Sequence, residues 1–201
     1  MPPVDTEAST SASLLLRIRD AGNVEAWRTF ESVYGPLIRR SCQRRGLQHA
    51  DAADVSQEVL ARVAKAIRGF EYTPELGRFR SWLGTITANE VRTFLTRTGR
   101  RPTVSGDDTI ESPDPDPIWL AEFTDHILAV ALDRIRGEFE PATWASFEAV
   151  WVRKEPPAEI AQRLGIAVHS VYVNKSRVLK RLEAEVLHLA EDLPLADPTG
   201  M

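Results

Sequence analysis

Apolar side chains recur at intervals of three and four residues along most of this 201-residue chain. The spacing is typical of amphipathic helices, because residues three and four apart lie on one face of a helix. No segment of useful length alternates apolar and polar residues as a half-buried strand requires. The chain is therefore expected to be all-α.

One stretch without helical spacing divides the chain. Residues 100–118 are rich in Pro, Asp and Ser, a composition typical of a flexible linker. The sequence thus predicts two small helical domains, residues 13–99 and 119–190, joined by a flexible acidic linker. Residues 1–12 and 191–201 are expected to be tails.

Three helices are predicted in the first domain. The first begins near Asn23, a good N-cap, and is expected to kink or break at Gly35-Pro36. The second opens at Asp51, and the third covers about residues 79–98. The second helix has an apolar stripe of Val55, Val59, Val63 and Ile67, and the second domain begins with a stripe of Leu120, Phe123, Ile127, Val130, Ala131 and Ile135.

Charge is sorted along the chain, although the formal net charge is only −4. Residues 62–101 hold nine basic and three acidic residues, and residues 153–181 hold seven basic and two acidic residues. Residues 102–126, between these segments, hold seven acidic residues and no Lys or Arg. A basic segment in each domain suits a polyanion that spans both, although solvated helix faces carry such charges too.

Residues 157–182 are typical of a helix-turn-helix. This motif needs a small residue where its helices cross and a turn residue that accepts positive φ, and Ala161 and Gly165 supply these. The second helix has an inner apolar face with Val171 and Val178, and an outer face that suits the major groove. A helical hairpin with no role in DNA binding is the alternative. The outer face consists of His169, Tyr172, Val173, Ser176, Arg177 and Lys180.

The first domain offers a second candidate nucleic-acid surface. Aromatic and basic residues are interleaved before and within its third helix, as in proteins that stack single-stranded bases on aromatic rings. Farther along that helix, polar side chains that can address base edges or phosphates form a stripe. Phe79 and Trp82 have the alternative of lying in the core. The candidate residues are Phe70, Tyr72, Arg78, Arg80, Trp82, Asn89, Arg92 and Thr96.

The helix that opens at Asp51 carries a polar face beside its apolar stripe. The face is formed by Asp54, Gln57, Glu58 and Arg62. It fits either a docking surface for another protein or plain solvated surface, and composition does not decide between them.

Several classes of protein are excluded or disfavoured. Cys42 is the only cysteine, so no intramolecular disulfide forms, and the four histidines show no metal-ligand spacing. We therefore expect no metal and no cofactor. The chain offers no nucleophile–base pair at motif spacing and no Gly-rich phosphate loop, so it is not expected to be an enzyme. No apolar run approaches the roughly 20 residues of a membrane helix, and residues 1–13 lack a secretory signal, which favours a cytoplasmic protein.

Together these segments resemble the sigma factors of bacterial RNA polymerase, specifically the small extracytoplasmic-function group of the sigma-70 superfamily. Lys175 departs from the pattern by standing where an aliphatic residue is usual, and residues 172–174 replace a more basic run. The resemblance is carried by residues 51–63 (DAADVSQEVLARV), residues 77–97 (GRFRSWLGTITANEVRTFLTR), the acidic linker, and residues 159–182 (EIAQRLGIAVHSVYVNKSRVLKRL).

The resemblance implies a sigma domain 2-like bundle followed by a sigma domain 4-like helix-turn-helix. The polar face at 54–62 would bind the β′ clamp helices of the RNA polymerase core. The candidate residues between 70 and 96 would open the −10 element of promoter DNA and hold a flipped base. The outer face at 169–180 would read the −35 element, and its domain would contact the β flap. An anti-sigma factor is a further partner that the resemblance allows.

A helix-turn-helix regulator that acts without core polymerase is the main alternative function. Such a protein usually needs two-fold symmetry to match a palindromic site. This chain instead carries two unlike basic segments, which favours an asymmetric promoter.

Overall fold

The computed structural model describes residues 13–69, 79–99 and 116–190. All regular structure within these ranges is helical, which confirms the all-α prediction. A 3₁₀ turn at Ile67–Gly69 follows the third helix. The helices are α1 (Leu14–Arg17), α2 (Val24–Arg44), α3 (His49–Ala66), α4 (Phe79–Arg97), α5 (Pro117–Arg136), α6 (Pro141–Trp151), α7 (Pro157–Leu164) and α8 (Val168–Leu189).

The ends of the helices follow local capping chemistry. The side chain of Asn23 accepts a hydrogen bond from the backbone N–H of Ala26, so the predicted N-cap of α2 is confirmed. Helix α3 starts at His49, two residues before the predicted start at Asp51. Asp116 caps α5 by accepting from the N–H of Ile118, so this helix begins within the stretch expected to be linker.

A kink or a break was predicted at Gly35-Pro36, and helix α2 continues through Pro36 without a break. Proline removes one intrahelical hydrogen bond and costs a helix about 3 kcal/mol. The residues on either side of it, among them Tyr34, Leu37 and Ile38, are completely buried. Burial of side chains of this size contributes about 1.5–3 kcal/mol each, which outweighs the local penalty.

Helices α2, α3 and α4 pack around a shared aromatic cluster. The rings of Phe30, Tyr34 and Phe79 have centroids 4.5 to 6.1 Å apart and are fully buried. Phe79 is therefore a core residue, as its alternative interpretation held. The predicted stripe of α3 also faces this core, since Val55, Val59, Val63 and Ile67 are all buried.

Helices α5 to α8 form the second half of the molecule. Phe123, Ile127, Ala131 and Ile135 of the predicted α5 stripe are buried, whereas Leu120 and Val130 are half-buried. They pack with Phe147 of α6 and with three residues of α8. The residues from α8 are Val178, Leu182 and Val186.

The two halves share one hydrophobic core in this structure. Trp119, at the start of α5, lies against Gly84 of α4, and its indole N–H donates to the carbonyl of Arg80 at 2.7 Å. The Tyr34 hydroxyl of α2 donates to the carbonyl of Leu189 at 2.6 Å. Buried residues from both halves thus form a single cluster.

Part of the acidic segment pairs with the first half of the chain. Asp116 lies 3.3 Å from both Arg44 and Arg45 at the end of α2, and Glu122 lies 3.6 Å from Arg44. Burial lowers the pKa of Arg45, with a smaller contribution from the neighbouring Arg44, and the two carboxylates oppose this shift. Asp116 and Glu122 of this segment are therefore bound to arginines. The remainder of the predicted linker, residues 100–115, lies outside the described residues.

Candidate nucleic-acid interface

The turn between α7 and α8 has the geometry that the sequence predicts. Gly165 adopts φ 65° and ψ 32°, in the left-handed region that L side chains rarely enter. The N–H of Ile166 donates to the carbonyl of Ala161 at 3.0 Å, which closes the end of α7. Ala161 is buried with Ile160 and Val171 in a small cluster that holds the two helices together.

Helix α8 separates its residues into the two expected faces. Val171, Val178 and Leu182 are completely buried. Lys175, which the spacing places toward the inner side, is half-buried. The predicted outer residues His169, Tyr172, Val173, Ser176, Arg177 and Lys180 are all exposed.

The cations around the helix-turn-helix differ in how they are paired. Glu155 binds Arg153 and Arg163 at 2.5 Å each, and these hydrogen bonds, first that from Arg153, lower the pKa of its carboxyl. Arg177 and Lys180 form no ion pair with any residue in the described ranges. The outer face of α8 therefore presents positive charge that is not neutralised by a neighbouring carboxylate in this part of the structure.

The candidate residues of α4 are positioned in different ways. Asn89 and Arg92 are half-buried, and a guanidinium N–H of Arg92 donates to the side-chain oxygen of Asn89 at 3.3 Å. Thr96 is exposed one turn farther along. These three residues thus form a polar strip on one side of the helix, as predicted.

The remaining candidates of the first half lie near the start of α4. Trp82 is half-buried and packs on Phe79, with ring centroids 5.6 Å apart. Arg80 is also half-buried, and its carbonyl accepts the hydrogen bond from Trp119. Phe70, Tyr72 and Arg78 lie outside the described residues.

The polar face of α3 is exposed except at the half-buried Glu58, and it also connects α3 to its neighbours. Gln57 donates to Glu31 of α2 at 3.1 Å. Glu58 and Arg62 contact α4, through Arg97 at 3.4 Å and through Glu90 at 2.9 Å respectively. Asp54 is exposed. A partner that docks on this face would meet side chains already held in place by α2 and α4.

A cleft of about 540 Å³ lies where α5 meets α6. Phe139 and Trp144 line its apolar side, and Arg136 lies over the Trp144 ring at 5.9 Å. The Trp144 indole N–H is buried and has no hydrogen-bond partner among the described residues. In the sequence, the spacing of Trp144, Phe147 and Trp151 indicates only the apolar stripe of a helix, and it does not predict this cleft.

Trp119 is the residue that sequence reasoning missed most clearly. The predicted α5 stripe began at Leu120, yet Trp119 is almost fully buried against α4. A signal for it was present, because Trp119, Phe123 and Ile127 are spaced by four residues.

Two features are absent from the described residues. No helix in these ranges is both long and apolar enough to cross a membrane. Within the same ranges, no three His, Cys, Asp or Glu side chains are grouped so that they could hold a metal ion.

Comparison with known proteins gives a match within the first half of the chain. Residues 32–101 match the family model described as Sigma-70 region 2. The matched range contains α3, α4 and most of α2, and therefore includes the polar face of α3 and the polar strip of α4. A comparison with curated proteins gave no match to this chain.

Proposed function

The chain belongs to the sigma-70 family, and we propose that it is an extracytoplasmic-function sigma factor that recognises a promoter at two separate elements. The proposal rests above all on one observation. A helix-turn-helix with an exposed, cation-bearing second helix lies outside the range that matches region 2. The chain therefore combines a region 2 with a second, unlike candidate DNA surface. In this proposal it acts in the cytoplasm as a binding protein and not as an enzyme.

The first half recognises and opens the −10 element. Asn89, Arg92 and Thr96 on α4 contact base edges and phosphates from their polar strip. An unpaired base needs an aromatic surface and nearby cations once it has left the stack. Those groups are supplied by Phe70, Tyr72, Arg78, Arg80 and Trp82.

The second half reads the −35 element with the outer face of α8. The exposed residues at 169–180 lie on the helix that follows the turn, which in this motif enters the major groove. Arg177 and Lys180 supply phosphate contacts, because they have no ion pair in the described structure that would have to be broken first.

The core enzyme binds at two further surfaces. The α3 face of Asp54, Gln57, Glu58 and Arg62 contacts the β′ clamp helices. The cleft beside Trp144 is the apolar surface of the second half that fits a helix of the β flap, since Phe139 and Trp144 give it aromatic side walls. An anti-sigma factor would compete for one of these surfaces.

Simultaneous binding of both elements requires the two halves to separate. The element names place them about 25 base pairs apart, which is about 85 Å of B-form DNA. A compact body of the described residues is about 40 Å across. The contacts of α5 with α2 and α4 must therefore be released when both elements are bound.

In vitro transcription with core polymerase and mapping of start sites tests this function. Wild type is expected to direct initiation at a defined set of promoters. The double variant Ser176→Ala/Arg177→Ala should weaken dependence on the −35 element, and Asn89→Ala should alter the choice of −10 element. Arg28→Ala is the matched control, because Arg28 is exposed on α2 and outside all proposed surfaces.

Two results would contradict the proposal. If the protein neither associates with core polymerase nor changes the mapped start sites, it is not a sigma factor. If it forms a stable homodimer that binds duplex DNA and gives no initiation with core polymerase, a regulator of the helix-turn-helix class is the better interpretation.

A further inference from the structure

Three exposed apolar side chains lie close together at the start of α8. Val168, Tyr172 and Val173 are 42%, 54% and 39% exposed. Only eight large apolar residues in the described ranges are exposed in this way, and three of them fall within these six consecutive positions. We refer to Val168, Tyr172 and Val173 as the apolar trio.

The geometry of a helix places the trio on the outer face of α8. Successive residues are about 100° apart around the axis, so Val168 and Tyr172 lie on one side of this face and Val173 lies on the other. His169 and Ser176 project between them. The trio therefore flanks a polar strip on the first two turns of α8, which in this motif contact base edges.

Valine side chains cannot read hydrogen-bond donors or acceptors. The one apolar group that distinguishes base pairs in the major groove is the C5-methyl of thymine, and apolar side chains recognise it by contact. Charge complementarity favours DNA as the occupant, because Arg177 and Lys180 extend from the same face without an ion pair in the described structure. An apolar patch for a partner protein would more commonly have few charges at its centre.

We infer that the apolar trio makes this protein select thymine methyl groups in the −35 element. This inference rests on the proposed function, since it concerns the same helix. It adds to that function the chemical group that is recognised, the thymine methyl. It also assigns Val168, which was not among the residues predicted from the sequence, as a specificity residue. Val168 and Val173 contact methyl groups on neighbouring base pairs, and His169 and Ser176 supply the polar contacts between them.

Replacement of thymine by deoxyuridine tests the inference directly. The exchange removes one methyl group and leaves every hydrogen-bonding group of the base unchanged. Promoters selected by the protein with core polymerase are prepared with single deoxyuridines in the −35 element, and affinity is measured. Each contacted methyl buries about one CH₃ group, so its removal should weaken binding roughly four-fold. The effect should be confined to one or two positions.

Protein variants complete a thermodynamic cycle with these DNAs. Val168→Ala or Val173→Ala should abolish the difference between thymine and deoxyuridine at one position each. Leu187→Ala is the matched control, because Leu187 is 46% exposed on the same helix but lies nearly four turns beyond Val173. It should retain the full difference. All three are exposed apolar-to-alanine changes in a helix, and thermal unfolding followed by circular dichroism verifies that each variant is folded.

Three outcomes would overturn the inference. One is equal affinity for thymine and deoxyuridine while exchange of −35 base pairs still weakens binding, which leaves the proposed function intact. Another is a selected −35 element without thymine on either strand. A third is loss of core-polymerase association in Val173→Ala with an unchanged methyl effect, which assigns the trio to a protein partner. If exchange of −35 base pairs has no effect at all, the proposed reading of this element fails as well.

Discussion

Gly84 allows Trp119 to approach α4, and Gly84→Ala should therefore weaken the contact between the two halves. A Cβ atom at this position would lie 2.5 Å from Nε1 and 2.7 Å from Cδ1 of Trp119. Non-bonded heavy atoms prefer separations of about 3.5–4.0 Å, so the overlap is about 1 Å. The indole is a rigid, buried ring and not the end of a flexible chain, so either α5 must move or Trp119 must leave.

Either response to the added Cβ costs free energy of unfolding, and the response with the smaller cost sets the expected loss of stability. Departure of Trp119 would expose about 150–250 Å² of ring surface, or about 4–6 kcal/mol at 25 cal/mol per Å². A shift of α5 costs about 1–3 kcal/mol as overpacking, with about 1 kcal/mol more for the lost hydrogen bond to Arg80. The shift is cheaper, so Gly84→Ala should lower the free energy of unfolding by about 2–4 kcal/mol.

Urea denaturation followed by circular dichroism and tryptophan fluorescence measures this loss. Gly137→Ala is the matched control, because Gly137 has φ −71° and nothing within 4 Å of the added Cβ. It should be neutral or stabilising by about 0.4–1 kcal/mol. If the two alanine variants have the same stability, Trp119 does not lie against α4 in solution and the reasoning is refuted.

Three other predictions concern stability. Arg62→Ala should lower the free energy of unfolding in denaturant by about 1–2 kcal/mol, because it leaves the mostly buried Glu90 carboxylate without its 2.9 Å partner while Arg62 itself is largely exposed. The double variant Arg62→Ala/Glu90→Gln should recover most of this loss, and no recovery would argue against the ion pair. Burial raises the pKa of Cys42 from 9.0 to about 11, so folding favours the protonated thiol. The stability that the protonated thiol contributes is intact below pH 9 and is lost as the pH rises to 11. The free energy of unfolding of wild type relative to Cys42→Ala should therefore fall over that window. A constant difference between the two proteins would contradict the burial of the thiol. Lys154 has φ 56°, a conformation that glycine adopts more readily than other residues. Lys154→Gly should therefore raise the free energy of unfolding by about 0.5–1 kcal/mol, whereas Lys154→Ala should not. Equal effects of the two substitutions would show that backbone strain is absent.

The fate of Arg62→Ala also matters for the polymerase assay. Arg62 belongs both to the proposed β′ clamp surface and to the ion pair with Glu90. Loss of polymerase binding in this variant therefore counts as evidence for the surface only when the protein remains folded. Asp54→Ala is the cleaner test, because Asp54 is exposed.

The faces of individual helices were predictable from the sequence. The division of α8 into a buried side with Val171 and Val178 and an exposed side with Arg177 depends only on 3.6 residues per turn and the preference of apolar groups for the interior. The turn at Gly165 was predictable from a similarly local rule. A turn with positive φ favours glycine, and Gly165 stands four residues after the small residue at which the two helices cross. These are short-range properties, so the residues involved are close in the chain.

Local rules were less successful where distant segments meet. Proline disfavours a helix interior, yet Pro36 stays within α2 because its neighbours are buried by other helices. The polar face of α3 was predictable, but its bonds to Glu31, Glu90 and Arg97 were not, since each partner lies 26 or more residues away in the chain.

The sequence by itself determined that the chain is helical, which faces of its main helices are apolar and where the helix-turn-helix lies. Only the tertiary structure decided that Trp119 lies on Gly84, that Asp116 pairs with Arg44 and Arg45, and that both halves share one core. The physical reason is that helical periodicity is read within a few residues of chain. Contacts between helices depend instead on the shape and charge of surfaces that the chain brings together only when it folds.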